Sequence, residues 1–198
     1  MTEAAAEKAV PTLAYAILAL IAREPLTGYQ VSQQLRDPVG HFWQARHSQV
    51  YPVLNRLDGL GWVAAEEIAG PGPRPTRRYE ITEAGLAALR TWVGAPPTRR
   101  TARDELLLRV YASWVVDRSV TLRLLAEAEA RHREQLATYL DRRRRGEARG
   151  AADRPGSADF ADYATLRRGI GFERGRIAWL RWLRRRIEAD NQVADTSS

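Results

Sequence analysis

The 198-residue chain has no cysteine, one methionine, three histidines and a single lysine, Lys8. Without cysteine there is no disulfide and no thiolate metal site, which fits a reducing compartment. His41, His47 and His132 have none of the spacings that hold zinc, and no acidic residue is closely interleaved with His41 and His47, so no metal and no cofactor is expected. There is no run of about eighteen apolar residues and hence no expected membrane span. Met1 to Val10 is polar and Ala-rich, without the apolar centre of a signal peptide. No nucleophile elbow occurs, and neither Gly70-Pro71-Gly72 nor Gly169-Ile170-Gly171 is followed by the Lys-Ser/Thr of a phosphate cradle. An enzyme therefore has no site to stand on. A cytoplasmic protein is expected.

What the chain does have is arginine. Against 24 acidic residues stand 31 basic ones, a net charge of +7, which favours a polyanionic partner. Residues 1–100 carry 11 basic and 9 acidic side chains, and residues 101–198 carry 20 and 15. The excess is therefore not concentrated in the first half, and the placement of individual arginines decides more than the total.

The most informative stretch runs from Ser48 to Trp62. Val50, Leu54 and Leu57 fall at i, i+4 and i+7 and predict a helix with one apolar face. Ser48 is the expected N-cap, Pro52 is expected in or next to the first turn, and Gly61 is expected to close the helix. The opposite face carries Ser48, Gln49, Tyr51, Asn55 and Arg56. Amides and guanidinium groups suit base edges, and hydroxyls and cations suit phosphates. Next come a strand from Trp62 to Glu67, a Gly/Pro cluster from Gly70 to Pro75, and a second strand through Thr76-Arg77-Arg78-Tyr79-Glu80-Ile81. Such a hairpin behind a polar-faced helix is the wing of a winged helix-turn-helix, with Arg74, Arg77 and Arg78 near its tip. Thr82 caps a further helix with Leu86, Leu89 and Val93 at helical spacing. Upstream, Leu13, Ile17, Leu20 and Ile21 mark a first helix, and Thr27-Gly28-Tyr29-Gln30-Val31 opens a second that ends at Asp37-Pro38. Two short helices, a third with a polar face and a hairpin make a DNA-binding module.

In the order Thr27-Gly28-Tyr29, Val50-Tyr51-Pro52-Val53-Leu54-Asn55-Arg56-Leu57, Gly61-Trp62-Val63 and Arg78-Tyr79-Glu80-Ile81-Thr82-Glu83-Ala84-Gly85, residues 10–95 resemble the PadR-type transcriptional regulators. Arg103-Asp104-Glu105-Leu106-Leu107-Leu108-Arg109 is similar to the start of the α-helical C-terminal domain in the longer members. The resemblance implies a homodimeric, usually repressing DNA-binding regulator, often released by a small molecule.

Beyond Pro96-Pro97-Thr98 three helical stretches are expected: Arg103 to Val116, Ser119 to about Arg145, and Ser157 to about Asp190. The last carries Tyr163, Leu166, Ile170, Ile177, Leu180 and Ile187 near heptad positions, broken at Glu173 and Arg184. Leu124, Trp179, Trp182 and Leu183 lie off the stripe, and surplus apolar surface of this kind asks for a partner chain. Leu166, Ile170, Ile177 and Leu180 are the expected dimer contacts. A monomeric hairpin that uses the surface internally is the alternative. Arg142–Arg145 and Arg184–Arg186 read as solvated helix ends, where cations suit the macrodipole.

The expected fold class is mainly α: an N-terminal winged helix-turn-helix with a two-stranded wing, then a C-terminal α-helical, coiled-coil-like dimerisation domain. Expected boundaries are a flexible 1–10, a DNA-binding domain 11–95, a dimerisation domain 101–190 and a disordered tail 191–198. The expected partners are double-stranded DNA with a palindromic operator and a second copy of the chain, with no membrane. Ser48, Gln49, Asn55 and Arg56 are the expected base readers; Tyr29, Tyr51, Arg74, Thr76, Arg77 and Arg78 are the expected positioners. Tyr15, Trp92, Tyr111 and Trp114 at the junction of the halves are expected as core aromatics, with stacking of a small aromatic effector, which the family resemblance implies, as the alternative for these rings. A winged-helix module that binds protein rather than DNA is the competing function.

Overall fold

The computed structural model describes residues 10–36, 46–69, 75–97 and 103–195. The expected flexible start, apart from Val10, lies outside the described residues, as do Arg74 and residues 196–198. The chain divides into two compact units, residues 1–98 and 99–198.

The first unit is built on α1 (Thr12–Ile21), β1 (Leu26–Thr27), α2 (Gly28–Arg36), α3 (His47–Gly59), β2 (Val63–Ile68), β3 (Thr76–Ile81) and α4 (Glu83–Gly94). The sheet is antiparallel in the order β1-β3-β2, so the expected two-stranded wing gains a short third strand. Leu26 pairs with Tyr79 and Thr27 with Arg78. Two residues are too few to show alternation, which is why β1 is illegible in the sequence. Ile17, Leu18, Ile21, Leu26, Val31, Leu35, Val50, Leu54, Leu57, Val63 and Tyr79 form one core with almost no exposure. Thr27 caps α2 reciprocally: its Oγ1 accepts from the Gln30 N–H, and Gln30 Oε1 accepts from the Thr27 N–H. Val93 does not join the core; it is 69% exposed at the end of α4.

The second unit holds α5 (Glu105–Tyr111), a 3-10 turn (Ser113–Val115), α6 (Arg118–Glu147) and α7 (Ala158–Asp195). The expected helix from Arg103 to Val116 is thus interrupted at Ala112, and α7 continues past Asp190 into the stretch expected to be disordered. α6 and α7 form an antiparallel hairpin whose core is split in two. Leu125, Ala128 and Leu180 pack at one level, with Leu106, Val110, Trp179, Leu183 and Ile187 around them. Tyr139, Leu166 and Ile170 pack at the other, with Leu136 and Leu140. Between them His132 Nδ1 meets buried Glu173 at 2.6 Å, and beside the first level buried Glu129 accepts from Arg181 at 2.7 Å and Arg184 at 3.2 Å.

The two heptad breaks at Glu173 and Arg184 are therefore the residues that make these polar contacts across the hairpin. Arg184 is spent on Glu129 and does not sit at a helix end. The Arg181 hydrogen bond, reinforced by the nearby charges of Arg184 and Arg133, holds the Glu129 carboxyl below the ordinary glutamate range despite its burial. Asp104 caps α5 by accepting from the Leu107 N–H and is also hydrogen-bonded by Arg176 of α7. Partial burial works to raise its carboxyl, but the Arg176 and backbone hydrogen bonds outweigh that and leave it below the ordinary aspartate range. Among the described residues no helix is long and apolar enough to cross a membrane.

Candidate nucleic-acid interface

Burial of Val50, Leu54 and Leu57 along one side of α3 leaves Ser48, Gln49, Tyr51, Pro52 and Asn55 exposed and Arg56 half-buried. The helix starts two residues earlier than expected. Arg46 is the N-cap and Ser48 is the second helical residue, so Ser48 is not a cap and its hydroxyl lies on the outer face. The Arg46 N–H is satisfied instead by Gln49 Oε1 at 3.0 Å. Pro52 is accordingly the sixth residue of the helix, in the second turn and so next to the first. It has no N–H to give to the Ser48 carbonyl.

The end of α3 matches expectation. Gly61 has φ +67°, its N–H donates to the Asp58 carbonyl at 2.9 Å, and the Trp62 N–H donates to the Leu57 carbonyl at 2.9 Å. These paired bonds are a Schellman closure, and they need a residue that tolerates left-handed backbone. The next motif locks onto this turn. The Thr82 hydroxyl donates to the Gly61 carbonyl at 2.6 Å and accepts from the Gly85 N–H at 3.1 Å, and the Thr82 N–H donates to the Trp62 carbonyl. A Cβ on Gly85 would lie 2.0 Å from the Trp62 carbonyl oxygen, so only glycine fits. Gly61-Trp62 and Thr82-x-x-Gly85, far apart in sequence, are halves of one knot that sets α4 against the exit of α3.

Tyr51 plays two parts. Its ring lies over the start of α2, where a Cβ on Gly28 would come 2.6 Å from Cε1, and His47 sits beside it at 5.4 Å between centroids. Tyr29 is exposed on α2, with its hydroxyl accepting from Gln33 Nε2 at 2.7 Å. In the wing, Glu66 stands opposite Arg78 and Glu67 opposite Arg77. Arg78 reaches Glu66 at 2.8 Å, whereas Arg77 reaches back to Asp58 on α3 at 2.9 Å. The Asp58 hydrogen bond pushes the Arg77 guanidinium pKa further up, so it stays charged. Thr76 is half-buried opposite Ile68. Asp58, Glu66 and Gly28 were not among the expected site residues. A signal existed for Asp58, because a carboxylate in the last turn of a helix opposes the macrodipole and calls for a cationic partner.

Of the expected effector residues, Tyr15 and Trp92 stack on each other at 4.8 Å and 6° within the first unit, with Trp62 tilted against Tyr15 at 6.0 Å. Tyr111 and Trp114 belong to the second unit and are each 83% exposed. The expected dimer residues need correction. Leu166, Ile170, Ile177 and Leu180 are between 0 and 6% exposed in the single chain. They are spent on the α6–α7 seam and have no surface left for a partner.

Residues 17–91 match the transcriptional regulator PadR-like family, and residues 102–188 match the virulence activator alpha C-terminal family. A probable transcriptional regulator of Mycobacterium tuberculosis is 31% identical over 182 residues, covering 85% of this chain and 93% of its own. The chain belongs to the PadR-like family of transcriptional regulators. The negative transcriptional regulator PadR of Bacillus subtilis is 26% identical over 179 residues, 90% of this chain and 98% of that protein. The crystal structure of that PadR in complex with operator DNA superposes with a TM-score of 0.77 at 25% identity, over 89% of this chain and 99% of the other. Its complex with p-coumaric acid gives 0.72 at 26% identity, over 90% and 99%. The PadR-like match spans α3, the wing and most of α4, and the second match spans the α5–α7 unit. Both halves of this regulator thus have counterparts in known relatives.

Proposed function

We propose that this PadR-like regulator binds double-stranded DNA sequence-specifically, as a homodimer on a two-fold operator, with α3 in the major groove. The observation that carries the reading is the division of α3 into a wholly buried face and an exposed face bearing Ser48, Gln49, Tyr51 and Asn55. The similarity to PadR in complex with operator DNA supports it. Asn55 and Arg56 are the base readers, because amide and guanidinium groups make bidentate pairs with adenine and guanine. Gln49 is a weaker reader than its chemistry suggests, since its carbonyl oxygen is engaged by the Arg46 N–H. Ser48, Tyr29, Tyr51, Thr76 and Arg74 position the backbone, the last from outside the described residues. We read the regulator as a cytoplasmic, non-enzymatic repressor, following the negative regulator of Bacillus subtilis.

An aromatic acid is the effector class suggested by the p-coumaric acid complex of that relative. Tyr111 and Trp114 offer open ring faces, while Tyr15 and Trp92 have each given one face to the other. In vitro selection from a random duplex pool, followed by gel shift, tests the central reading. Enrichment of a two-fold sequence is the expected result. No enrichment, with capture of a protein partner by the α3 face instead, would overturn it.

A further inference from the structure

Asp58 is the residue of α3 that DNA reading leaves without a role. It lies in the last turn of the helix, where the carbonyl end of the macrodipole disfavours a carboxylate. It also puts negative charge on the element that approaches phosphates. Its carboxylate accepts a hydrogen bond from Arg77 Nη2, nineteen residues away on β3. Both side chains are partly exposed, 32% and 46%, and ion pairs of that kind add little to stability. This pair, however, joins two elements. The Arg77 guanidinium also lies 5.7 Å from the centroid of Tyr79, whose ring is fixed in the core at 3% exposure. The arginine is held between an anchored ring and a helix-borne carboxylate. Arg78 next to it is tied across the strand to Glu66. Both stem arginines are therefore neutralised within the unit.

We propose that Asp58 is a positioning residue for DNA recognition: its ion pair with Arg77 fixes the wing stem to the C-terminal end of α3, and Arg77 stays on Asp58 rather than on a phosphate. The inference rests on the DNA-reading function above and reassigns one residue within it. The two roles of Arg77 differ in sign. As a strut, its partner is needed, and losing either member loosens the wing equally. As a phosphate contact, it competes with Asp58, and removing that carboxylate frees a cation for DNA.

The test uses the full chain and the duplex it selects from a random pool, with a scrambled duplex for comparison. Dissociation constants are measured across a salt series for the wild type, Asp58→Asn, Asp58→Glu, Arg77→Gln and the double variant Asp58→Asn/Arg77→Gln, with thermal melts to confirm folding. Asp58→Asn and Arg77→Gln are each expected to weaken binding to the selected site, on the order of three- to tenfold. The double variant should be no worse than either single one, and Asp58→Glu should recover part of the loss. The slope of log K against log salt should stay at the wild-type value, and preference over the scrambled duplex should shrink. Tighter binding by Asp58→Asn, or a slope reduced by about 0.9 per lost contact in Arg77→Gln, assigns Arg77 to a phosphate and overturns the proposal. Additive losses overturn it as well. A wild type that enriches no sequence refutes the DNA reading itself, a failure visible before any variant is compared.

Discussion

Two glycines show how much the chemistry of a single position depends on what would meet an added carbon. At Gly85 a Cβ would strike the Trp62 backbone carbonyl, which is held by Thr82 and cannot move. At Gly28 it would strike the Tyr51 ring, which is partly exposed and can swing. Gly85→Ala is therefore expected to cost about 1–3 kcal/mol as overpacking, with up to about 2 more if the Thr82 cap is lost. Gly28→Ala should cost about 1 kcal/mol or less, yet weaken DNA binding by displacing Tyr51 from the reading face. Urea midpoints of both variants check the ordering; equal losses would contradict it. Both residues were visible in the sequence as parts of motifs, Thr27-Gly28-Tyr29 and Thr82-x-x-Gly85. Their reasons were not, because each glycine makes room for an atom more than twenty positions away. The start of α3 failed for the opposite reason. Ser48 is a good capping residue by composition, but the cap went to Arg46 because Gln49 could satisfy its N–H.

At the level of elements, α7 was legible as a broken heptad, and the breaks turned out to be paired. Glu173 faces His132 and Arg184 faces Glu129, both on α6, forty to fifty-five positions distant. Periodicity within one helix reveals where a polar residue enters a seam, but not what waits across it. Glu129 is 5% exposed, while Arg181 and Arg184 keep 42% and 37% of their side-chain surface and can turn to water if it is lost. Glu129→Gln should therefore destabilise the hairpin by about 1–2 kcal/mol at neutral pH, below the usual cost of breaking a buried pair. The folded Glu129 carboxyl titrates below its unfolded value, so its contribution is complete above the unfolded value, near pH 4.3, and fades as pH falls through the folded one. Denaturant midpoints of wild type and Glu129→Gln should converge on acidification through that window. A gap that persists at the lowest pH would assign the loss to packing instead.

For the whole molecule, the winged-helix order was legible because it rests on local signals: caps, glycine closures and apolar periodicity. The use of the heptad residues was not, since Leu166, Ile170, Ile177 and Leu180, which looked free, are buried in the chain's own hairpin. What remains exposed in the second unit includes Leu107 and Leu108 on α5 and Val115 and Val116 in and after the turn that follows, a run held in place by the Asp104–Arg176 contact. Clustered exposed apolar side chains of this kind mark association surfaces. Sedimentation equilibrium is expected to give a dimer for the wild type and a weakened one for Leu108→Asp or Val115→Asp, with thermal melting of the chain otherwise retained. A wild-type monomer would remove the two-fold operator geometry.

The most direct measurement of the account is the affinity of Asn55→Ala for the selected and scrambled duplexes, side by side with the wild type. A base reader on α3 predicts a loss of about 1–3 kcal/mol on the selected duplex for each bidentate pair removed, with binding to the scrambled duplex unchanged. Equal losses on both duplexes, or no loss on either, would contradict the claim that this face of α3 reads DNA.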